Sequence, residues 1–455
     1  MDWNRVDPQW AWAPFEPSAK EPWNLEKTAH LYRRAAFGAN WQQLQQALEQ
    51  GPQQTVEQLL HGGRHQQAFY QQMEQVALAT LGNNQPDGLP PWWLYVMRFS
   101  PHPLRERVAL FWHDHFATSA AKVDAWMMWQ QNRLFRRLGL GPFGTLLEQV
   151  SKDPAMMVWL DGALNRRRHP NENFAREVME LFTLGLGNYT EKDIKEAARA
   201  FTGWSLRRGR FYYDAEEHDP GFKTVLGRRG RWRGEDVLHI LLEHPATARY
   251  LVGKWCRYLV AEDAPWPRRL IEPLAKQYRR RDYDTAWLLG TILQSNVFFS
   301  PLARGHKIKS PVDYAIGLLA ALEGTTNFQE LDRRLTQLGQ RLFFPPNVAG
   351  WDRGQAWLNS ATLVGRLNLA WDLAAQGPPQ VDLAELAARY QIKTTAQAVA
   401  WLHQLLLGSQ PDAKTQVQLV AAATGGNTAA GTAPEAHVLA RAVHAVAALP
   451  RFQLA

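Results

Sequence analysis

Helical periodicity is the feature of this sequence that most restricts its fold. Apolar side chains recur at intervals of three and four residues through most of the chain, and few segments show the strict alternation that strands require. In the segment 103–115, for example, one helix face carries Leu104, Val108, Phe111, Trp112 and His115. The spacing predicts a mainly α-helical protein.

Breaks in this pattern divide the chain. Residues 1–24 are rich in Pro and Trp, and we expect an extended segment there. A main helical domain is expected over 25–372, with a loop or β-hairpin insertion at 205–233, where short aromatic and β-branched runs are separated by Gly, Pro and Asp. Residues 380–455 are expected to form a helical C-terminal region, interrupted by "ATGGNTAAGTAP". The expected fold is therefore a large multi-helical domain with an insertion and a helical tail.

Composition agrees with a folded globular protein, since 45% of the residues are hydrophobic and 21% are charged. The chain has 20 tryptophans, which suit a thick core or exposed stacking surfaces. The net charge is +8, and arginine runs occur at 166–168, at 279–281 and within 207–233. Such runs are usually solvated loops, and no nucleic-acid-binding motif accompanies them, so nucleic acid is not the expected partner.

The single cysteine, Cys256, cannot form an intramolecular disulfide, and it lies in an apolar helical segment. The N-terminal residues lack a basic stretch followed by an apolar run, and no apolar run approaches the length of a membrane span. We therefore expect a soluble cytoplasmic protein.

The stretch "HPNENFAREVMELFTLG" is the first candidate site. Asn173, Glu177 and Glu180 form a polar stripe along the edge of the apolar face of the predicted helix, and Arg176 could pair with Glu180 on its outer side. Carboxylates in that position need a partner. The stripe could bind a divalent cation or supply an acid and a base, or it could be an ion-pair lattice. In the second interpretation the partners are Arg33, Arg34, Arg105, Arg107 or Arg199.

"FWHDHFATS" is the second candidate. His115 lies on the apolar face of its helix, and His113 would project to the other side unless the helix ends there. The two could bind one metal ion, with Glu177 as a further ligand, or they could be a core histidine and a surface histidine.

Two polar segments complete the set. In "EEHDPGFKTVLG", the residues His218, Asp219 and Lys223 lie in a predicted loop, although an Asp-Pro-Gly turn explains Asp219 without any chemistry. Asp161 and Asn165 precede the stripe and could join Glu177 in one pocket, although Asp161-Gly162 also reads as a helix terminus. Motifs typical of nucleotide-binding loops, zinc proteases and serine hydrolases do not occur.

Eight segments also occur together in one bacterial family. They are "LYRRAAFGA", "FWHDHFATS", "DPAMMVWLDG", "NENFAREVMELFTLGLGNYTEKDIKEAARAFTGW", "HDPGFKTVLG", "HPATARYLV", "KIKSPVDY" and "LFFPPNVAGWDRGQAWLNSATLVGR". In these segments the chain resembles the family called domain of unknown function 1800, over roughly residues 25–370. The resemblance implies no activity and no assigned catalytic residues. It does imply a possible partner, because members are often exported and encoded beside sulfatase-like proteins.

The leading functional hypothesis is a metal- or carboxylate-dependent hydrolase or transferase. Its catalytic candidates are Glu177, Glu180, His218 and Asp219. Candidate substrate-binding residues are Arg176, Asn173, Lys223, Asp161 and Asn165, and candidate metal ligands are His113, His115 and Glu177. The alternatives are a non-catalytic scaffold or maturation partner of a sulfatase-like protein, and a polysaccharide-binding protein that stacks sugars on exposed tryptophans.

Overall fold

The structure, a computed structural model, describes residues 2–83, 85–426 and 433–455. Within these ranges most residues lie in helices, and the strands form two small two-stranded sheets. The prediction of a mainly α-helical protein with a hairpin insertion is therefore confirmed. Of the interruption expected in the C-terminal region, residues 427–432 lie outside the described residues.

The helices of the first half are α1 Pro8–Trp12, α2 Leu25–Ala35, α3 Trp41–Gln50, α4 Pro52–His61, α5 Gln66–Thr80, α6 Leu89–Phe99, α7 Pro103–His115, α8 Ala125–Leu138, α9 Phe143–Ser151, α10 Pro154–Trp159, α11 Asn173–Glu177 and α12 Glu191–Ala200. Those of the second half are α13 Gly234–Glu243, α14 Pro245–Leu259, α15 Arg268–Arg280, α16 Thr285–Gln294, α17 Asn296–Phe299, α18 Pro311–Ala321, α19 Phe328–Gln337, α20 Ser360–Ala375, α21 Leu383–Arg389, α22 Thr395–Leu407, α23 Ala413–Thr424 and α24 Ala436–Ala447.

The N-terminal segment is only partly extended, in contrast to the prediction. Asp7 accepts hydrogen bonds from the backbone amides of Gln9 and Trp10, and Pro8 occupies the first helical position, so that α1 forms. The indole of Trp12 then donates to the backbone carbonyl of Leu270 at 2.7 Å. These contacts hold the segment against α15.

The insertion consists of two hairpins. Strand β1 (Trp204–Arg207) pairs antiparallel with β2 (Arg210–Tyr213), and β3 (Lys223–Val225) pairs with β4 (Arg228–Gly230). Side chains of α12 hold the second hairpin, because Glu196 accepts from the Thr224 amide and Asp193 accepts from the Leu226 amide, each at 2.8 Å.

Helix α7 lies at the centre of the core. Nearly all of its residues from Leu104 to His115 are buried, and Trp112 at its middle is fully inaccessible. One hydrophobic core extends from Phe15 to Phe452, so the C-terminal helices pack into the same core as the rest of the chain. Throughout the described ranges, we find no helix with the length and apolarity that crossing a bilayer requires.

Candidate functional site

The predicted polar stripe does not follow regular helical phase. After Glu177 the helix widens into a π-helix over Val178–Thr183, in which the amide of Leu184 donates to the carbonyl of Met179, five residues back, at 2.8 Å. The wider turn rotates Glu180 and every later side chain relative to an α-helix. Asn173 is exposed, whereas Glu177 and Glu180 are half-buried. Such π-turns occur often at functional sites.

The stripe carboxylates have other neighbours than those considered from the sequence. Glu180 accepts a hydrogen bond of 2.5 Å from the hydroxyl of Tyr189. Burial raises the pKa of Glu177, and the nearby charge of Glu180 raises it further. Arg176 is not paired with Glu180, because its guanidinium is held by Glu172 at 3.2 Å and by Glu191 at 2.8 Å. The helix face therefore carries two closely spaced carboxylates without an arginine between them.

The two histidines of α7 lie on opposite sides of a helix that continues to His115. His113 is buried, and its Nε2 accepts a hydrogen bond of 3.1 Å from the backbone amide of Phe343. Burial lowers the pKa of His113 to about 3. His115 is equally buried, and its Nε2 lies 3.2 Å from the carbonyl of Phe182 in the π-helix. Both histidines are thus core residues, and each contacts a backbone group of a neighbouring segment.

The candidates of the loop gather around the end of α12. His218 Nδ1 lies 3.0 Å from the carbonyl of Thr202, and the Asp219 carboxylate accepts from Arg199 Nε at 2.7 Å. Lys223 is buried, and its ammonium donates to the carbonyls of Asp219 at 2.5 Å and Gly221 at 3.1 Å. Burial lowers the pKa of Lys223 and of His218. His218 and Asp219 therefore tie this loop to the end of α12, while Lys223 holds the backbone of the loop itself.

Asp161 and Asn165 are separated by their partners. Asp161 pairs with Lys122 at 2.8 Å, whereas Asn165 is buried, donates to the carbonyl of Ala198 and accepts from the amide of Asn171. The backbone of Asn165 also accepts from Gly203, next to Thr202, so Asn165 belongs with the His218 loop. The structure thus brings Asn165, His218, Asp219 and Lys223 together. It places His113, His115 and Glu177 apart, and across the described ranges no three His, Cys, Asp or Glu residues form a group that could hold a metal ion.

A different set of charged residues meets in one cavity. We call it the charged pocket and define it by Arg107, Asp114, Glu262, Lys307, Asp313 and Arg353, which line a cavity of about 50 Å³ together with Tyr258, Trp351 and Trp357. These residues come from α7, from the segment after α14, from the start of α18 and the loop before it, and from the loop before α20. A cavity of this size admits a few water molecules or one small chemical group.

Asp114 fastens the loop before α20 to α7. Its carboxylate accepts from the Trp351 amide at 2.9 Å and forms an ion pair with Arg353. Gly350 has a φ of +90°, and a Cβ at this position would overlap the Asp114 carboxylate and lie 2.7 Å from the Asp114 carbonyl. Only glycine therefore lets the two backbones approach this closely.

Arg107 and Asp313 form the buried base of the pocket. The guanidinium of Arg107 pairs with Asp313 and also donates to the carbonyl of Ala36 at 2.7 Å. Burial alone would raise the pKa of Asp313, but the charges of Arg107 and Lys307 outweigh it and bring the value to about 2. Asp313 is therefore fully ionised at neutral pH.

Glu262 and Lys307 face the same cavity, and their pKa values are shifted in opposite directions. Burial raises the pKa of Glu262, although Lys307 and Arg353 oppose the shift. Burial lowers the pKa of Lys307 to about 8, although Asp313, 4.0 Å away, opposes it. The Glu262 carboxylate has no hydrogen bond or ion pair to any residue that the structure describes. It is therefore free to interact with whatever enters the pocket.

Lys254 lies beside the pocket, between Asp114 and the π-helix. Burial and the charges of Arg353 and Arg257 lower its pKa to about 7, against the opposing charge of Asp114. Its ammonium is 5.4 Å from the ring centre of Tyr250, whose hydroxyl donates to the Leu181 carbonyl of the π-helix at 2.9 Å. Lys254 thus connects the charged pocket with the region of the predicted stripe.

Reasoning from the sequence missed this pocket. From the sequence, Arg107 is expected only as an ion-pair partner of the stripe, and the other five residues are not assigned to any site. A signal was present, because Asp114, Lys307, Asp313 and Arg353 all lie in segments that carry the family resemblance. Helical periodicity does not identify these residues as a site. It predicts only which face of a helix a residue lies on, and not which distant segments come into contact.

Comparison with known proteins identifies the chain only at the level of a family. The sequence profile described as "Protein of unknown function (DUF1800)" matches residues 30–454. No curated protein and no solved structure matches the chain.

Proposed function

The chain belongs to the DUF1800 family, whose function is unknown, and we propose its function from the charged pocket. We propose that the protein is a hydrolase or group transferase that works by general acid–base catalysis. Glu262 is the base and Lys307 the acid, while Arg353 holds a negatively charged group of the substrate.

The observation that carries this proposal is the pairing of an unbonded carboxylate with a buried lysine in one small cavity. Buried acid–base pairs whose pKa values are moved towards neutrality are typical of catalytic sites. At neutral pH the Lys307 ammonium can give up a proton and the Glu262 carboxylate can accept one. The cavity of about 50 Å³ has room for a water molecule and one reacting group, so only one end of a substrate molecule would lie inside it.

The proposed reaction class is the one expected from the sequence, but the proposed catalytic residues are different. Glu177 and Glu180 stay candidates only as the outer edge of the site, where the charge of Glu180 acts on Tyr250 and on Glu177. The loop candidates His218 and Asp219 have partners at the end of α12, Thr202 and Arg199, which leaves them a structural role in this proposal.

Activity screening with a matched control tests the proposal. Chromogenic esters, phosphates, sulfates and glycosides would be offered to the protein and to the variants Glu262→Gln, Lys307→Met and Asp263→Asn. Loss of general acid–base catalysis lowers kcat by about 10²–10⁴-fold, so we expect this loss in the first two variants. The exposed neighbour Asp263 lies outside the pocket and only adds to the raised pKa of Glu262, so its variant should change kcat far less than the first two. Turnover that both Glu262→Gln and Lys307→Met retain would refute the proposal.

A metal-dependent form of the reaction is a separate proposal, with His113, His115 and Glu177 as the ligands considered. Elemental analysis of the purified protein tests it. Near-stoichiometric divalent metal that is lost in a Glu177→Ala, His115→Ala double variant of verified fold would support it. Metal that persists in this variant, or no metal after addition of divalent ions, would count against it.

One surface favours the scaffold alternative. Leu363, Val364 and Trp371 on α20 are exposed at 40%, 57% and 39%, and they lie on one side of the helix. We propose this side of α20 as the contact for a protein partner, a sulfatase-like protein being the candidate that the family resemblance suggests. Co-purification that a Leu363→Ser, Trp371→Ser variant abolishes would support the contact. A cytoplasmic location stays our expectation, and cell fractionation tests it.

A further inference from the structure

A second and much larger cavity lies away from the charged pocket. We call it the basic groove; it measures about 1250 Å³ and is bounded by α5, α8 and the turn between β1 and β2. Cavities of about 300–1,000 Å³ hold ligands of the size of a drug molecule, so this groove can accept a longer one.

Charge is the first property of the groove. Seven basic and two acidic side chains line it. Three of the basic ones already have carboxylate partners, namely Arg133, Arg136 and Lys152. The other four, Arg105, Arg137, Arg208 and Arg210, form no ion pair with any residue in the described part of the chain. Four guanidinium groups without counter-charges in one groove repel one another, and an anionic ligand relieves that repulsion.

The floor of the groove is rigid. Arg136 Nε donates to both carboxylate oxygens of the buried Glu106, at 2.7 and 2.9 Å. Glu106 also accepts from the hydroxyl of Tyr70 at 2.9 Å and from the indole of Trp93 at 2.8 Å. The guanidinium of Arg136 lies 5.0 Å from the ring centre of Trp92, and its Nη2 is buried without a hydrogen-bond partner in the described structure. The guanidinium of Arg136 is thus held in place in the floor, and its Nη2 is still an unused hydrogen-bond donor.

The second property of the basic groove is its exposed aromatic and amide side chains. Trp126 lines the groove with 45% of its surface exposed. Exposed glutamines lie around it, and among the described residues the side chains of Gln67, Gln71 and Gln149 have no hydrogen-bond partner. Amides both donate and accept hydrogen bonds, as sugar hydroxyls do.

These properties favour a sugar polymer over a nucleic acid. Proteins that bind single-stranded nucleic acid stack successive bases on several aromatic side chains, whereas Trp126 is the one strongly exposed aromatic among the groove residues in the described part of the chain. The single stacking ring of the groove suits a sugar ring, its free amides suit sugar hydroxyls, and its unpaired guanidinium groups suit acidic substituents. We propose that the basic groove binds an acidic polysaccharide, whose units carry carboxylate or sulfate groups.

Affinity electrophoresis of the full chain at physiological salt tests this proposal, which does not depend on the role of the charged pocket. The gels would contain polygalacturonate, dextran sulfate, neutral dextran or single-stranded poly-dT. We expect retardation by at least one of the two acidic polysaccharides and none by neutral dextran. Which of the two retards the protein distinguishes a carboxylate from a sulfate ligand.

Two triple variants separate the groove from general basicity. Arg137→Gln, Arg208→Gln, Arg210→Gln removes three positive charges from the groove, and Arg166→Gln, Arg167→Gln, Arg168→Gln removes three exposed charges elsewhere. We expect at least about tenfold weaker binding for the first and less than about twofold for the second, since charge-assisted contacts contribute far more than exposed charges at a distance. Trp126→Ala should also weaken binding.

Three results would overturn the proposal. Equal losses in the two triple variants would show diffuse attraction to a basic protein. Tighter binding of poly-dT than of both polysaccharides would make the groove a nucleic-acid site. Migration that no acidic polymer retards would show that the groove binds no polyanion.

Discussion

Replacing Asp313 with Asn should destabilise the protein strongly, because it removes the charge that compensates the buried Arg107. The pKa of Asp313 is lowered from 3.8 to about 2. At about 1.4 kcal/mol per pKa unit, this shift corresponds to about 2 kcal/mol of stability at neutral pH. Breaking a buried ion pair from one side costs about 3–5 kcal/mol, since the remaining charge stays buried. We therefore expect the free energy of unfolding to fall by about 2–5 kcal/mol.

Urea denaturation followed by circular dichroism measures this loss, and Asp87→Asn is the control. Asp87 also pairs with an arginine, Arg341 at 2.7 Å, but its side chain is 72% exposed. Exposed pairs contribute about 0–1 kcal/mol, so the control should remain close to the wild type. A free energy of unfolding for Asp313→Asn within about 1 kcal/mol of that of the control would refute the reasoning.

The pH dependence gives the same argument a second test. A carboxyl whose pKa is lowered by folding stabilises the folded state above its unfolded pKa, and this stability is lost as the pH falls through the folded pKa. The difference between wild type and Asp313→Asn should thus be full above pH 3.8 and decline towards a pH of about 2. A difference that stays constant down to that pH would show that the charge of Asp313 does not carry the effect.

Three further outcomes are expected. Gly350→Ala should cost about 1–3 kcal/mol in thermal unfolding, because the new Cβ would overlap the Asp114 carboxylate at a φ of +90°; an unchanged Tm would show that the loop can move. The NMR signal of ¹³C-methylated Lys254 should titrate near pH 7, well below exposed lysines, and a midpoint near 10 would contradict the burial of its ammonium. Cys256 should react with Ellman's reagent only after denaturation, since burial raises the pKa of its thiol, and rapid reaction of the native protein would contradict this.

Local sequence patterns predicted the fold class well. A capping box of Thr190 and Asp193 starts α12, and the insertion at 205–233 contains hairpins where Gly, Pro and Asp interrupt aromatic runs. Such features depend on residues within a few positions of one another, so the sequence contains them directly. The partly helical N-terminal segment was missed, although Asp7 followed by Pro8 is a local helix-start signal.

The candidate site was less predictable, for two physical reasons. Residues after Glu177 were assigned to faces with α-helical phase, and the π-helix at Val178–Thr183 shifts that phase without an evident sequence signal. The interpretation of His113 as a surface histidine requires that its helix has a solvent-exposed side. Helix α7 instead is buried along most of its length, and the inaccessible ring of His113 accepts a hydrogen bond from a backbone amide.

The same property of α7 explains why it connects the two proposed sites. Successive residues of a helix point about 100° apart, so three consecutive charged residues must face three directions. Arg105 lines the basic groove, Glu106 holds Arg136 in the floor of that groove, and Arg107 forms the base of the charged pocket with Asp313. On a solvent-exposed helix face such charges reach water and need not contact another helix. Because both side chains are buried, Glu106 holds α8 and Arg107 holds α18 in position, so three consecutive residues of α7 contribute to the two proposed sites.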